Sequence, residues 1–203
     1  HKSELKDELD FIARDNAKTP FRLLLEQRGM WNEVWVAPRT SPPKYFHKLG
    51  FNDYAAVHAN YPLPGDAQVL KRHAAGVVYC PLSHKYFKHP RHPLPRYLKG
   101  GLTVGLGTDS CASNDTLDMR AEMAHVKKAF RTLPDARILE MATLGSASIL
   151  GIDKQVGSLK KGKRADIAFF QLPPQATKAL SAIVAHRPPV KAVMCEGRWL
   201  KGL

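Results

Sequence analysis

Short apolar runs recur along the chain, and each is followed by polar residues, a helical pattern and a stopping glycine. The clearest run extends from Leu102 to Leu106, with Gly105 inside it, as in a strand that is buried on both faces. The other predicted strands lie at 54–60, with His58 near its end, and at 77–80. Because strands that alternate with helical patterns are typical of βα units, the sequence predicts an α/β fold with a parallel sheet.

Helical spacing fills the segments between these runs. Leu5, Leu9 and Ile12 predict a first helix, and Thr19-Pro20 predicts an N-cap and first turn for a helix that stops at Gly29. Further helices are predicted at 44–49, 67–75, 96–99, 119–131 and 135–150.

The pattern changes near Gly157, where a turn rich in lysine and glycine precedes an apolar strand ending at Phe170. A second strand is predicted at 188–195, and Glu196-Gly197 suits a hairpin turn before a third. We therefore expect two parts: a barrel-like domain at 1–156 and a small β-sandwich segment at 157–203.

Composition limits the classes of protein. No apolar run is long enough to span a membrane, and the charged first residues predict no signal peptide. Cys80, Cys111 and Cys195 are far apart and form no paired motif, which favours a reducing, cytoplasmic setting. The net charge of +13 would suit nucleic acid, but the positive residues are spread along the chain and no nucleic-acid-binding motif accompanies them.

Chemically capable side chains stand at four predicted strand ends: His1 with Glu4, His58, Ser83 with His84, and Asp109. Residues at the carboxyl ends of parallel barrel strands point into the active site. Imidazoles and a carboxylate there could hold a divalent metal, which lowers the pKa of a bound water toward ~7. A neighbouring carboxylate could then carry the proton to a leaving group.

Each of these residues has a simpler interpretation. Asp109 could cap the following helix, since Asp is a common N-cap. Glu4 could be an ordinary acid in the first turn of a helix. His58 and His84 could be hydrogen-bonded polar residues in loops.

The motifs, taken in order, resemble the C-terminal part of the metal-dependent amidohydrolase superfamily, in its cytosine deaminase and chlorohydrolase-like branch. The matching motifs are His1-x-x-Glu4, the strand ending in His58-Ala59, Cys80-Pro81-x-Ser83, Gly107-Thr108-Asp109-Ser110 with Ala112-Ser113-Asn114-x-x-Leu117-Asp118-Met119, Met141-Ala142-Thr143-x-Gly145-Ser146-Ala147, Gly157-Ser158-Leu159-x-x-Gly162-Lys163-x-Ala165-Asp166-Ile167 and Gly197-Arg198. The resemblance covers nearly all of the chain. Ser83-His84 before the aromatic pair Tyr86-Phe87 is also similar to aminofutalosine deaminases, whereas most relatives have Asn where His84 stands.

The resemblance implies a role for each candidate. His1 and Asp109 would be metal ligands, Asp109 would also activate the water, and Glu4 would be the proton shuttle. His58 would contact the metal-bound water or the substrate. The substrate-binding residues would be Ser83, His84, Ser110 and Asn114. One divalent metal is implied, with zinc expected first and iron or manganese as alternatives.

The resemblance also implies that the chain is the C-terminal half of a (β/α)8 TIM barrel, strands five to eight, followed by the small β element. The family's His-x-His pair from the first strand does not occur in this sequence. We therefore expect about 150–250 residues of barrel to precede His1, judged from typical barrel size. Relatives are often dimers or larger assemblies, and a homodimer is one of the assemblies that the resemblance allows.

The function that follows is hydrolytic deamination of an aminated purine or pyrimidine-like ring. The first alternative keeps the same chemistry but removes a halide or alkylamine from a related ring, or hydrolyses an amide. The second alternative is a non-catalytic or basic nucleic-acid-binding fragment, supported only by the net charge of +13. A small-molecule substrate is expected, with no membrane partner.

Overall fold

The computed structural model describes residues 1–14, 19–172, 174 and 178–201. Its helices are α1 Lys6–Arg14, α2 Pro20–Gln27, α3 Pro42–Lys48, α4 Asp66–His73, α5 Pro81–Tyr86, α6 Leu94–Lys99, α7 Met119–Ala129, α8 Asp135–Glu140, a π-helix Met141–Gly145, α9 Ser146–Ile149 and α10 Ala179–His186. Its strands are β1 Tyr54–Val57, β2 Ala74–Tyr79, β3 Val104–Leu106, β4 Ile167–Phe170, β5 Val190–Cys195 and β6 Arg198–Lys201.

The chain divides into two compact units. The first unit contains His1–Val77 and Pro90–Thr103. The second contains Val78–His89 and Val104–Leu203. Strand β2 therefore begins in the first unit and ends in the second.

Helices at the start of the first unit follow the predicted pattern. In α2, the Thr19 hydroxyl accepts a hydrogen bond from the Arg22 amide at 3.2 Å, and Pro20 occupies the first helical position. In α1, Leu9 and Phe11 are buried, and the Phe11 ring stacks on Trp35 at 4.2 Å between centroids. Both predicted helices are confirmed.

Strands β1 and β2 are neighbours in the first unit. The Val77 amide donates to the Thr103 carbonyl at 2.9 Å, which ties β2 to the segment that returns after α6. Ala56, Leu70 and Leu94 are almost completely buried around these strands. The helix predicted at 67–75 is wrong at its end, because Ala74 already has extended backbone and opens β2.

Strand β3 lies within the second unit, where Val104 and Leu106 are buried as the continuous apolar run predicted. The Gly107 amide donates to the Tyr79 carbonyl at 3.0 Å, so the end of β2 runs beside the end of β3. The predicted strand is confirmed, although it begins two residues later than the apolar run.

The continuous helix predicted at 135–150 is wrong. The backbone widens into a π-helix at Met141–Gly145 between α8 and α9. The Ser146 hydroxyl contacts the Met141 carbonyl at 2.8 Å and the Leu106 carbonyl at 3.0 Å, and it also accepts from the Leu106 amide. These contacts draw the helix onto β3 and account for the change of helical pitch, which hydrophobic period alone does not reveal.

Gly145 lies against β3 with no room for a side chain. A Cβ at this position would come within 2.6 Å of the Val104 carbonyl oxygen. We expect Gly145→Ala to lower the free energy of unfolding by roughly 1–3 kcal/mol, the usual cost of overpacking. Urea unfolding midpoints would measure this loss. Ser148→Ala, at an exposed position of α9, is the matched control, and an equal midpoint for the two variants would contradict the prediction.

The last three strands form an antiparallel sheet in the order β4-β5-β6. Ile167 faces Met194 across the first pair, and Cys195 faces Arg198 across the second. Gly197 has φ of 78°, as the predicted hairpin turn requires. The three predicted strands and the hairpin turn are confirmed, while α10, which precedes β5, and α5, which follows β2, were not predicted.

Across the described residues, no helix combines the length and the apolar character that crossing a membrane would require.

Candidate active site

Three predicted site residues meet in the first unit. The Nδ1 atom of His1 lies 3.0 Å from Oε2 of Glu4 and 2.9 Å from Nε2 of His58. Nε2 of His58 is 3.4 Å from the same Glu4 oxygen. Only 2% of the His58 side chain is exposed, against 58% for His1 and 21% for Glu4. Two imidazole nitrogens and one carboxylate oxygen thus converge at the end of β1.

Backbone pairing brings these residues together. Lys2 forms a parallel bridge with His58, in which the Lys2 amide donates to the Val57 carbonyl at 3.0 Å. The Ala59 amide donates back to the Lys2 carbonyl at 2.8 Å. Glu4 precedes α1 and is therefore not the first-turn acid of the simpler interpretation. The Glu8 carboxylate instead accepts from the Ser3 and Glu4 amides, at 3.0 Å each.

Two residues that the sequence analysis did not assign hold the end of β1. His92 Nε2 donates to the His58 carbonyl at 2.9 Å, and the Tyr97 hydroxyl donates to the Ala59 carbonyl at 2.6 Å. Both side chains are buried, and burial raises the pKa of Tyr97 above its usual range. These bonds fix a segment in which His58 and Ala59 both have left-handed backbone, with φ of 72° and 50°.

Asp109 belongs to the second unit, directly after β3. Its Oδ2 atom accepts from the Ser83 hydroxyl at 2.8 Å and from the Ser113 hydroxyl at 3.3 Å. Its Oδ1 atom accepts from the Ser110 amide at 2.8 Å. The capping alternative for Asp109 is wrong, because Asp118 is the N-cap of α7 and accepts from the Arg120 amide. The Asp109 carboxylate is thus oriented by hydroxyl and amide donors rather than by a helix start.

The second unit also contains three further predicted site residues, Ser83, His84 and Ser110, which differ in burial. Ser83 and His84 lie in α5, not in a loop, and both are buried. The His84 ring packs edge-on against Tyr79, with centroids 5.6 Å apart. Ser110 is exposed. Their contact with substrate stays a prediction.

Asn114 is buried and its amide is engaged within the chain. Its Nδ2 group donates to the Thr108 carbonyl at 2.7 Å and to Oε1 of Glu122 at 2.6 Å. Its Oδ1 atom accepts from the Thr116 amide at 3.2 Å. The structure therefore gives Asn114 a role in the loop after β3, beside the predicted contact with substrate.

Glu122 is the residue of this region that sequence reasoning missed. It is fully buried in α7, and its Oε2 atom accepts from the Leu82 amide at 2.9 Å. Burial raises the pKa of Glu122 to about 7, against the opposing effect of the hydrogen bonds from Leu82 and Asn114. A signal was present in the sequence: Glu122 stands four residues before Val126, on the apolar face of the helix.

A cavity of about 650 Å³ opens beside this network in the second unit. Ser113 and Asn114 line it together with Lys85, His125 and Lys128. Burial lowers the pKa of His125, and the positive charges of Lys85 and Lys128 lower it further. The cavity therefore has a cationic wall beside two small polar side chains.

The donor atoms of the first unit suit a divalent cation. Imidazole nitrogen and carboxylate oxygen are ligands that zinc, iron and manganese all accept. The converging arrangement of His1, Glu4 and His58 offers both donor types within 3.4 Å of one another. The residues present thus fit a metal of the kind that the sequence predicted.

Strands that alternate with helices, with polar side chains at the strand ends, are typical of an α/β protein, and the likeness to solved structures identifies the fold as the TIM-barrel type. The chain resembles a solved adenosine deaminase from Xanthomonas campestris with bound zinc, at a TM-score of 0.76 and 24% identity, over 100% of this chain and 44% of that one. The sequence profile of the amidohydrolase family matches residues 32–200. The chain therefore belongs to the amidohydrolase family.

Curated relatives carry two kinds of name. A 5-methylthioadenosine/S-adenosylhomocysteine deaminase from Desulforudis audaxviator is 30% identical over 210 residues, which cover 97% of this chain and 44% of the relative. An S-triazine hydrolase from Gordonia rubripertincta is 32% identical over 139 residues, which cover 64% of this chain and 29% of the relative. The chain spans less than half the length of these relatives.

Proposed function

We propose that this protein is a metal-dependent hydrolase that removes the amino group from an aminated purine or pyrimidine-like ring. The observation that carries the proposal is the convergence of His1, Glu4 and His58 within 3.4 Å. Membership of the amidohydrolase family and similarity to a deaminase support it. The substrate is a small molecule, and water is the second reactant.

The proposal assigns the metal to His1 and Asp109, with zinc as the first choice. When bound, the cation would act as a Lewis acid and make a water molecule acidic enough to ionise near neutral pH. The Asp109 carboxylate would accept the proton of that water. Ser83 and Ser113 would hold the carboxylate in place through the hydrogen bonds to Oδ2.

Glu4 and His58 complete the proposed reaction. Glu4 would deliver a proton to the ring nitrogen while the water oxygen adds to the carbon that carries the amine. The proton held by Asp109 would then pass to the amine, the C–N bond would break to release ammonia, and the new hydroxyl group would return a proton to Glu4 as the ring carbonyl forms. His58, which is buried and fixed through its carbonyl by His92, would orient the water or polarise the ring.

A second candidate keeps this site and changes the leaving group. The similarity to an S-triazine hydrolase favours loss of a halide or alkylamine from a triazine-like ring. The same residues would serve, because the addition of water to a ring carbon is common to both reactions. The pocket that holds the rest of the ring would decide between them.

Several finer assignments belong to the same proposal. The strands β1, β2 and β3 would be strands six to eight of the barrel, and the segment at His1 the end of strand five. Residues 157–203 would form a separate small β-sandwich segment, and the protein would be a homodimer. Cys80, Cys111 and Cys195 are free thiols, which supports a reducing, cytoplasmic setting.

The test is a substrate panel with and without metal. The purified protein would be stripped with a chelator, reloaded with zinc, iron or manganese, and offered aminated purines, aminated pyrimidines, chlorinated triazines and amides. We expect ammonia from an aminated ring, dependent on about one metal per chain. Chloride or alkylamine release alone would favour the second candidate, and no turnover with any metal and any of these substrates would reject the proposal.

A further inference from the structure

Glu122 is an acidic side chain in the interior of the second unit. It is fully buried, as are Val126 and Ile138 of the same unit. Burying a carboxylate is costly unless each oxygen is hydrogen-bonded. Both Glu122 oxygens do accept a bond, and their donors, the Leu82 amide and the Asn114 side chain, come from α5 and from the loop after β3. The Glu122 carboxylate thus joins two separate segments of this unit to α7.

One of these bonds leads to Asp109 through Asn114. The Asn114 amide group donates simultaneously to Glu122 and to the carbonyl of Thr108, at 2.6 and 2.7 Å. Thr108 is the residue directly before Asp109. Asp109 has left-handed backbone, with φ of 58°, a conformation that a non-glycine residue keeps only when its surroundings hold it. The bond from Asn114 to the Thr108 carbonyl holds the peptide that precedes Asp109.

The other bond leads to Asp109 through Ser83. Glu122 accepts from the amide of Leu82 at 2.9 Å, which fixes the first turn of α5. Ser83 is the next residue, and its hydroxyl donates to the Asp109 carboxylate at 2.8 Å. The two routes therefore start at separate oxygens of one carboxylate and end on the backbone and the side chain of Asp109.

We propose that Glu122 is a positioning residue for Asp109, which it holds in place by fastening α5 and the loop after β3 to α7. This inference rests on the proposed function only for the role of Asp109 in the reaction. The positioning itself concerns contacts among Glu122, Asn114 and Leu82. Ionised Glu122 suits this role because both of its oxygens are acceptors and both of its partners are donors.

The experiment compares Glu122→Gln with Glu140→Gln. The glutamine side chain of the first variant has one acceptor oxygen, so its amide group would face either the Leu82 amide or the Asn114 amide as a second donor. Glu140 ends α8, and its partly exposed side chain pairs with Arg137, which makes it a matched control in the same unit. Circular dichroism and thermal unfolding would establish that each variant is folded.

Three measurements follow on each folded variant. Hydrogen exchange would report the amides of 80–89 and 104–118, chelator competition would report the affinity for zinc, and steady-state kinetics would separate kcat from KM. For Glu122→Gln we expect faster exchange in both segments, about tenfold weaker zinc binding, as for other outer-shell partners of metal ligands, and a kcat at least about tenfold lower. KM should stay within about threefold of the unmodified protein. Glu140→Gln should change none of these quantities.

The inference fails if Glu122→Gln matches Glu140→Gln in exchange and zinc affinity, or if its loss is confined to KM. Should Glu122→Gln not fold, Asn114→Ala decides, because it cuts only the first route. Faster exchange at 104–118 with unchanged exchange at 80–89 would then support the inference, and unchanged exchange in both segments would overturn it.

A further variant, Asp109→Asn, distinguishes a failure of this inference from a failure of the proposed function. If that variant keeps its turnover, the catalytic role of Asp109 is wrong. Faster exchange of both segments in Glu122→Gln would still support the positioning. If Asp109→Asn is inactive and Glu122→Gln behaves as the control, only the positioning is wrong.

Discussion

Replacing Asp109 with alanine is expected to lower kcat by about 10³-fold or more. The variant removes the proposed metal ligand and the proposed base together, and the loss of a positioned base alone usually costs about 10²–10⁴-fold. It also deprives the Ser83 and Ser113 hydroxyls of their acceptor. We therefore expect zinc content to fall with the activity, as measured by elemental analysis of the purified variant.

Asp115→Ala is the control for this prediction. Asp115 lies further along the same loop, and its side chain is exposed. It should keep its zinc and nearly all of its turnover. An Asp109→Ala protein that retained more than about a tenth of the original kcat would show that Asp109 is neither the base nor an essential ligand.

The second large effect is expected at Glu4. Glu4→Gln keeps the size of the side chain and an oxygen within reach of His1 Nδ1, but it removes the group that would carry the proton. We expect kcat to fall by about 10²–10⁴-fold, the usual contribution of a positioned acid or base. Zinc content should stay unchanged, in contrast to Asp109→Ala, because Glu4 is not a proposed ligand.

Glu33→Gln supplies the comparison for Glu4. Glu33 is exposed and lies in the segment between α2 and α3, so its substitution removes an equal charge from the first unit. Equal kcat values for the two variants would remove Glu4 from the mechanism. Loss of zinc in Glu4→Gln would instead make Glu4 a metal ligand.

The strand ends could be predicted from sequence because two independent signals coincide there. The run Leu102–Leu106 has the apolar character of a buried strand, and Asp109 follows it after one glycine and one threonine. His58 likewise follows the apolar end of β1. A strand that is buried on both faces needs a continuous apolar run, and a reactive site needs a polar residue at the end of that strand. Both patterns can therefore be recognised in a single sequence.

Other features depend on contacts that no local pattern encodes. The π-helix arises where Ser146 bonds to both Met141 and Leu106, which are far apart along the chain. Glu122 has an ordinary place in an amphipathic helix, and its proposed role follows only from its hydrogen bonds to α5 and to the loop after β3. Contacts between residues that are distant in sequence determine these features, whereas hydrophobic periodicity describes only a single helix or strand.

The left-handed backbone at the strand ends limits how this site can be altered. His58, Ala59 and Asp109 all have φ between 50° and 72°. Among non-glycine residues, Asn, Asp and His adopt this conformation most readily, while β-branched residues are strongly disfavoured. A mutational library at positions 58 and 109 should thus be enriched in Asn, Asp, His and Gly among its folded members. A change in the proposed reaction would therefore require one of these few residue types at positions 58 and 109, or substitutions elsewhere in the pocket.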